Sequence, residues 1–121
     1  GLTDEEIPAI LRAAADAGAR TAAYIALRLP YAVKDMFEHW LEAHFPDRKD
    51  KVLNRVRSMR DGKLYQSKWG TRMRGDGIFA DQIELLFDAS CRKLGLNQER
   101  RKLTTEHFRR PEIQREQLSL L

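Results

Sequence analysis

The chain has 121 residues, enough for one domain with a buried core, and its 33% charged and 42% hydrophobic residues are typical of a globular protein. No apolar run approaches 18 residues and the N-terminal sequence GLTDEE is not a secretory leader, so we expect no membrane span, no signal peptide and a cytoplasmic location. Cys91 is the only cysteine, which excludes an intramolecular disulfide and a metal cluster held by several thiolates of this chain.

A first helix is predicted to begin at Asp4. Thr3 and Glu6 have the spacing of a capping box, in which each side chain bonds the main chain of the other residue. Leu2 and Ile7 have the spacing of a hydrophobic staple across the same turn. The N-terminal boundary of this helix is therefore well defined by the sequence.

The next segment, RTAAYIALRLP at residues 20–30, is predicted to be a strand. Its nearly continuous apolar run, closed by Pro30, is typical of a strand buried on both faces of a parallel sheet. No other segment has a strand pattern, and a lone strand leaves its main-chain polar groups without partners. Either it pairs with a second copy of the chain, or the chain is the end of a larger α/β protein. We favour the second, which the start at Gly1 rather than methionine fits.

Three further helices are predicted from apolar residues spaced three and four apart. The first is Val33–Phe45, ended by Pro46. The second has Asp47 as N-cap and a stop at Gly62, and its buried stripe is Val52, Leu53, Val56 and Met59. The third spans about Gly77–Leu94, with a Schellman ending at Gly95 and Leu96. Residues 63–75 lack periodicity and are predicted to be a loop. The predicted fold class is mostly α with one strand.

Positive charge is concentrated in residues 51–75, which hold eight lysines and arginines and one acidic residue, Asp61. Basic side chains interleaved with Tyr65 and Trp69 suit single-stranded or flipped nucleic acid, with cations on phosphates and rings on bases. The candidate nucleic-acid residues are Arg57, Arg60, Lys63, Tyr65, Lys68, Trp69, Arg72 and Arg74. The alternative is a solvated helix face and a loop that Trp69 anchors to the core. A phosphate-binding P-loop is excluded, because no Lys-Ser/Thr pair follows Gly75.

Most of the chain resembles a known family. The blocks GLTDEEIPAILRAAADAGA, LPYAVKDMFEHWLEAHFPD, RMRGDG and CRKLGLN are similar to the C-terminal third of radical S-adenosylmethionine proteins of the spore photoproduct lyase-like, DNA-repair-photolyase-like branch. The resemblance implies a partial βα barrel whose cluster-bearing half precedes Gly1. Residues 1–45 would be the last helix-strand-helix unit of that barrel, and residues 46–121 a helical C-terminal extension.

The resemblance also implies cofactors that this chain cannot hold alone. The family's CxxxCxxC motif is absent, and one cysteine cannot provide the three thiolates that such a cluster uses. We therefore expect the [4Fe–4S] cluster and S-adenosylmethionine in the full-length parent, and no catalytic residue or metal ligand in this chain. His39 and His44 do not change this, because they lie roughly 140° apart around a helix.

Candidate binding residues lie where the predicted strand ends. In βα barrels the functional residues lie at the carboxyl ends of the strands. In this chain Arg28 and Tyr31 lie at the end of the predicted strand, and Lys34 follows one turn later. A guanidinium such as that of Arg28 suits a carboxylate or phosphate of a substrate or cofactor. The alternative is that Arg28 and Lys34 are solvated surface charges.

The last five residues, QLSLL, resemble the peptide by which bacterial repair and replication proteins dock on the sliding clamp. Gln117 would supply amide hydrogen bonds, and Leu118, Leu120 and Leu121 apolar contacts, with Leu121 where phenylalanine is usual. The alternative is a leucine-rich end that packs on the core.

Three functions remain open from the sequence. We favour the first, in which the chain is the C-terminal fragment of a radical S-adenosylmethionine enzyme. By the resemblance, such an enzyme would cleave its cofactor reductively and abstract hydrogen from a substrate such as a nucleic-acid lesion. Alternatively the chain is a non-enzymatic nucleic-acid-binding or protein-docking module, or a structural extension that closes a barrel. The expected partners are the missing N-terminal half, nucleic acid, the sliding clamp, and a second copy through the lone strand.

Overall fold

The computed structural model describes residues 2–99 and 104–110, and they are mostly helical, as predicted. The helices are α1 (Ile7–Asp16), α2 (Val33–His44), α3 (Lys49–Ser58) and α4 (Ile78–Lys93), and single 3-10 turns at Asp4–Glu6 and Pro46–Arg48 lead into α1 and α3. Within these residues no segment is assigned as a strand, and no helix is long and apolar enough to cross a membrane.

Two clusters of buried side chains form the core. One joins α1 to α4 and consists of Leu11, Phe87, Cys91 and Leu96; the other joins α2 to α3 and consists of Leu41, Val52 and Leu53. The predicted stripe of α3 is confirmed, because all four of its members are buried. Both clusters combine residues from before and after residue 45, and the predicted domain division there stays a prediction.

A 3-10 turn begins at Asp4, where the first helix was predicted to start, but α1 itself begins at Ile7 and the predicted cap is not formed. The Glu6 amide donates to the Thr3 carbonyl at 3.0 Å, and the Thr3 side chain makes no capping hydrogen bond. Thr3 has φ −123° and ψ 5°, outside the extended region usual for an N-cap residue. The Asp4 carboxylate instead accepts a hydrogen bond from Arg55 of α3 at 3.4 Å, so a tertiary ion pair helps fix this end.

The end of α4 is the predicted Schellman motif. The Leu96 amide donates to the Cys91 carbonyl at 2.9 Å and the Gly95 amide to the Arg92 carbonyl at 3.3 Å, with Gly95 at φ +68°. The N-cap prediction for α3 was wrong: Asp47 lies inside the preceding 3-10 turn, and no side chain caps Lys49.

Residues 19–30 form a non-helical segment on the surface of this helical core. Burial alternates along it: Ala22, Tyr24 and Ala26 are buried or half-buried, whereas Thr21, Ala23, Ile25 and Leu27 are exposed. This period of two is that of an extended chain. Burial on both faces was therefore a wrong prediction, since Ile25 is 60% and Leu27 43% exposed.

Candidate functional site

One edge of the segment 19–30 is held by polar groups from distant parts of the chain. The Asn97 amide donates to the Arg20 carbonyl at 2.9 Å, and the Asn97 side chain bonds both main-chain groups of Ala22, at 2.9 and 3.0 Å. The Ala26 amide donates to the Met73 carbonyl at 2.8 Å. We call this side, formed by the main chain of Arg20, Ala22 and Ala26, the capped edge.

The opposite side of the segment has no such partners. In an extended chain the main-chain groups of alternate residues point to opposite sides, so those of Thr21, Ala23 and Ile25 lie opposite the capped edge. Within the described residues their amides and carbonyls form no hydrogen bond. We call this side the free edge.

Arg60 ties the segment to the loop that follows α3. Its side chain is 1% exposed, and its two terminal nitrogens donate to four carbonyls: Ala26 (3.1 Å), Leu27 (2.9 Å), Thr71 (3.2 Å) and Arg72 (2.7 Å). Burial, and then the positive charge of Arg28, lower the pKa of this guanidinium from its usual value. Arg60 was predicted to contact nucleic acid, but in this structure its donors are used inside the protein.

The carboxyl end of the segment brings together residues that the sequence analysis assigned to separate sites. The Arg28 guanidinium lies 5.9 Å from the centroid of the Tyr65 ring, and its Nη1 lies 3.7 Å from Met73 Sδ. The rings of Tyr31 and Tyr65 are 6.4 Å apart. Arg28 and Tyr31 therefore meet the loop residue Tyr65 in one group, which we call the Arg28 cluster.

Tyr31 has an unusual conformation in this cluster. Its φ is +48°, a left-handed value that is strained for a bulky residue, and its side chain is 86% exposed. Lys34, on the first turn of α2, is exposed and forms no hydrogen bond or ion pair in the described part of the chain. The structure thus groups two of the three predicted strand-end residues with Tyr65.

The remaining basic residues differ in exposure and in whether their side chains contact other residues of the protein. The Arg72 guanidinium lies 4.5 Å from the centroid of the Trp69 ring, and Trp69 is 81% exposed, so it does not anchor the loop to the core. Arg74 is paired with Glu84 at 2.9 Å, and Arg57 donates to Asn54 at 3.1 Å. Lys63 and Lys68 are exposed.

Besides Ile25 and Leu27 of the segment 19–30, exposed apolar side chains lie on α2, the helix that follows it. Val33, Met36 and Trp40 are spaced on one helical face and are 45%, 69% and 43% exposed. The Trp40 ring contacts those of Phe37, His44 and Phe45 at centroid distances of 5.3 to 5.8 Å. We call Val33, Met36 and Trp40 the apolar stripe of α2.

The single thiol does not suit an iron–sulfur cluster. Cys91 is 4% exposed among apolar neighbours, with Asn97 Nδ2 at 3.8 Å from its Sγ, and burial, followed by the charge of Asp88, raises the pKa of the thiol. No group of three metal-ligating side chains occurs among the described residues. A cluster that needs three thiolates would have to take the others from outside these 121 residues.

Asn97 and Met73 were missed by the sequence analysis. Asn97 has φ +62°, and its place just after the Schellman motif was the only local signal of a special role. Met73 holds the capped edge through its main-chain carbonyl, and no side-chain pattern in the sequence indicates such a contact. The predicted clamp-binding residues, Gln117, Leu118, Leu120 and Leu121, lie outside the described residues.

Comparison of the chain with protein-family models, curated proteins and solved structures finds no match.

Proposed function

We propose that this chain is the C-terminal portion of a radical S-adenosylmethionine protein of the spore photoproduct lyase-like branch, and that residues 19–30 are the last strand of its partial barrel. The observation that carries the proposal is the difference between the two edges of that segment. The capped edge is closed by Asn97, Arg60 and the Met73 carbonyl. The free edge offers the main-chain groups of Thr21, Ala23 and Ile25.

A strand at the end of an open sheet needs one neighbour and must be protected on its other side. The capped edge supplies that protection with side chains from within the chain. The free edge has the donors and acceptors that pair with one added strand, and the exposed face beside it is apolar at Ile25 and Leu27. We infer that the neighbour is an extended strand of the polypeptide that precedes Gly1.

The apolar stripe of α2 supports the same arrangement. In a βα barrel each strand is followed by a helix that packs its apolar face against the outside of the sheet. The stripe is exposed here, as is expected of a helix whose sheet is supplied by another part of the protein. Burying Met36 and Trp40 against that sheet stabilises the assembly by roughly 1.5–3 kcal/mol per side chain.

The catalytic activity would belong to the whole protein. The cluster and S-adenosylmethionine would be held by thiolates that precede Gly1, and this chain would supply the end of the barrel and its strand-end residues. We expect the coding sequence upstream of Gly1 to contain CxxxCxxC, and the full-length protein, reconstituted with iron and sulfide, to release 5′-deoxyadenosine under reductant. An upstream sequence without the motif, or no such product, would overturn the proposal.

The role of the free edge is tested by a pair of matched variants. Ile25→Lys and Ile10→Lys change side chains of nearly equal exposure, 60% and 59%, on the free-edge segment and on α1. We expect Ile25→Lys to abolish binding of the 121-residue chain to the separately expressed upstream polypeptide in a pull-down. Ile10→Lys should bind like the unchanged chain. Equal binding by all three would contradict the strand assignment.

A second candidate is a nucleic-acid-binding role for the loop at residues 63–75, which we call the basic loop. It is favoured by the exposed Trp69 ring with Arg72 beside it, an arrangement that suits base stacking next to a phosphate contact. In this function the chain is a binding module and no reaction is required.

The test is a titration of labelled single-stranded DNA at two salt concentrations. We expect affinity to fall with salt, Trp69→Ala to weaken binding about tenfold through lost stacking, and Arg72→Gln to weaken it and reduce the salt slope. Arg12→Gln is the matched control, because Arg12 is exposed on α1, outside the basic segment 51–75. Absence of binding at low salt would exclude this function.

A further inference from the structure

The Arg28 cluster and the neighbouring Arg60 carry positive charge without an ion-pair partner in the part of the chain that the structure describes. Arg28 and Arg60 form no ion pair within the described residues, whereas Arg55 and Arg74 do. The buried charge of Arg60 is surrounded by four carbonyl dipoles. Arg28 adds a second charge close enough to disfavour the charged form of Arg60 and to lower its pKa, after the larger effect of burial.

Arg28 itself is poorly satisfied. Within the described residues its Nη2 forms no hydrogen bond, and the contact of Nη1 is to a thioether sulfur, a weak acceptor. Its Nε is also without a partner but is buried, so the donors open to a ligand are those of the terminal nitrogens. A guanidinium with unused donors next to a second, buried guanidinium favours an anion, because one oxyanion accepts from Arg28 and lowers the repulsion between the two cations.

The surroundings of Arg28 add an aromatic wall. Tyr65 lies against the guanidinium, and Tyr31 stands beside Tyr65 with its ring 86% exposed. Tyr31 also has a positive φ, which costs about 1–3 kcal/mol in backbone strain. An exposed ring held in a strained conformation next to an unpaired guanidinium suits a ligand with both a flat group and a negative charge.

We propose that Arg28, Tyr31 and Tyr65 form a binding site for the oxyanion, phosphate or carboxylate, of a small molecule whose planar group stacks on Tyr31. The site lies entirely within this chain. The test of this site does not depend on the polypeptide that precedes Gly1. The binding-site proposal can therefore fail while the assignment to a barrel holds, and the barrel assignment can fail while the binding site holds.

The experiment follows the Nε resonance of Arg28 and the ring resonances of the two tyrosines by NMR in the 121-residue chain. The probes are inorganic phosphate, adenosine monophosphate, adenosine and benzoate. We expect phosphate to shift the Arg28 resonance, adenosine monophosphate to bind more tightly than phosphate and to shift Tyr31 as well, and adenosine to have no effect at equal concentration. Comparison of benzoate with phosphate tells which oxyanion the site prefers.

Variants assign the effect to the cluster. Arg28→Gln should weaken binding of adenosine monophosphate at least about tenfold, by loss of a charge-assisted hydrogen bond, and Arg28→Lys should restore part of it. Tyr31→Ala should bring the affinity for the nucleotide down to that for phosphate. Because Tyr31 is 86% exposed, the variant should melt at the same temperature as the unchanged chain. Arg12→Gln, on the exposed side of α1, is the matched control. No shift with any anion, or unchanged affinity in both Arg28→Gln and Tyr31→Ala, overturns the proposal.

Discussion

Arg60 is the residue on which the local structure of the candidate site depends most. It is the sole side chain in the described residues that joins the segment 19–30 to the loop through four carbonyls. Arg60→Met keeps much of the volume and removes every one of these bonds, so it leaves buried acceptors unsatisfied. We expect it to lower the free energy of unfolding by roughly 3 kcal/mol.

Urea unfolding measures this effect as a lower midpoint at an unchanged slope. Arg12→Met is the control, because Arg12 is exposed on α1, and its effect should stay within about 0.5 kcal/mol. Equal midpoints for the two variants would mean that Arg60 is not a structural residue and that water satisfies these carbonyls.

Cys91 predicts how stability responds to alkaline pH. Its pKa is raised above the ordinary value of 9.0, first by burial and then by Asp88. The folded protein therefore holds the thiol proton more tightly than the unfolded chain does, so this contribution is fully present below pH 9 and is lost as pH rises through the folded pKa. Tyr24, whose pKa is raised by burial and then by Glu84, acts in the same direction.

The Cys91 contribution is isolated by comparing Cys91→Ala with the unchanged chain across this pH range. We expect the variant to lose less stability between pH 8 and pH 10 than the unchanged chain, because only the Tyr24 contribution remains. The measurement is urea unfolding at each pH. Parallel loss of stability in both proteins would show that the thiol is not protected by the fold.

At the scale of elements, the capped edge makes a prediction for Asn97. Asn97→Gly keeps the left-handed backbone at φ +62° but removes the bonds to Ala22, and should cost about 1–2 kcal/mol. Asn97→Ala should cost about 1 kcal/mol more, because alanine is strained in that conformation. Hydrogen exchange should show faster exchange of the Ala22 amide in both variants. An unaffected amide would mean that Asn97 does not hold the edge.

The elements also show which sequence patterns are sufficient. The Schellman ending of α4 and the buried stripe of α3 were predictable, because each depends on residues within a few positions of one another. The capping box at Thr3 was a wrong prediction, and the ion pair found at this end joins Asp4 to Arg55, 51 residues away; local spacing carries no information on such a pair. The partners of the capped edge were unpredictable for the same reason, since Asn97 lies 75 residues from Ala22.

The candidate site was predicted in parts and not as a whole. Arg28 and Tyr31 followed from the position of a strand end, and Tyr65 from a basic and aromatic segment. Their meeting depends on the path of residues 63–75, a loop with no periodicity and several positive-φ glycines. The burial of Arg60 could not be anticipated either, because arginine is rarely buried and its partners here are main-chain carbonyls without a sequence signature.

At the scale of the whole molecule, the free edge and the apolar stripe of α2 lie at consecutive parts of the chain, and both have exposed apolar side chains. An exposed extended edge with an apolar face pairs with whatever strand is available, and in a solution of this chain alone that strand is the same segment of a second copy. We therefore expect the isolated 121-residue chain to self-associate as concentration rises.

Sedimentation equilibrium over a range of concentrations tests this expectation. Ala23→Pro removes one donor of the free edge without touching the capped edge and should keep the protein monomeric, and Ile25→Lys should do the same by placing a charge on the exposed face. Ile10→Lys, equally exposed on α1, should associate like the unchanged chain. Addition of the polypeptide encoded upstream of Gly1 should replace self-association by a one-to-one complex, since both compete for the same edge. A chain that stays monomeric at all concentrations, or dimers that persist in Ala23→Pro, would show that residues 21–25 are not a pairing surface.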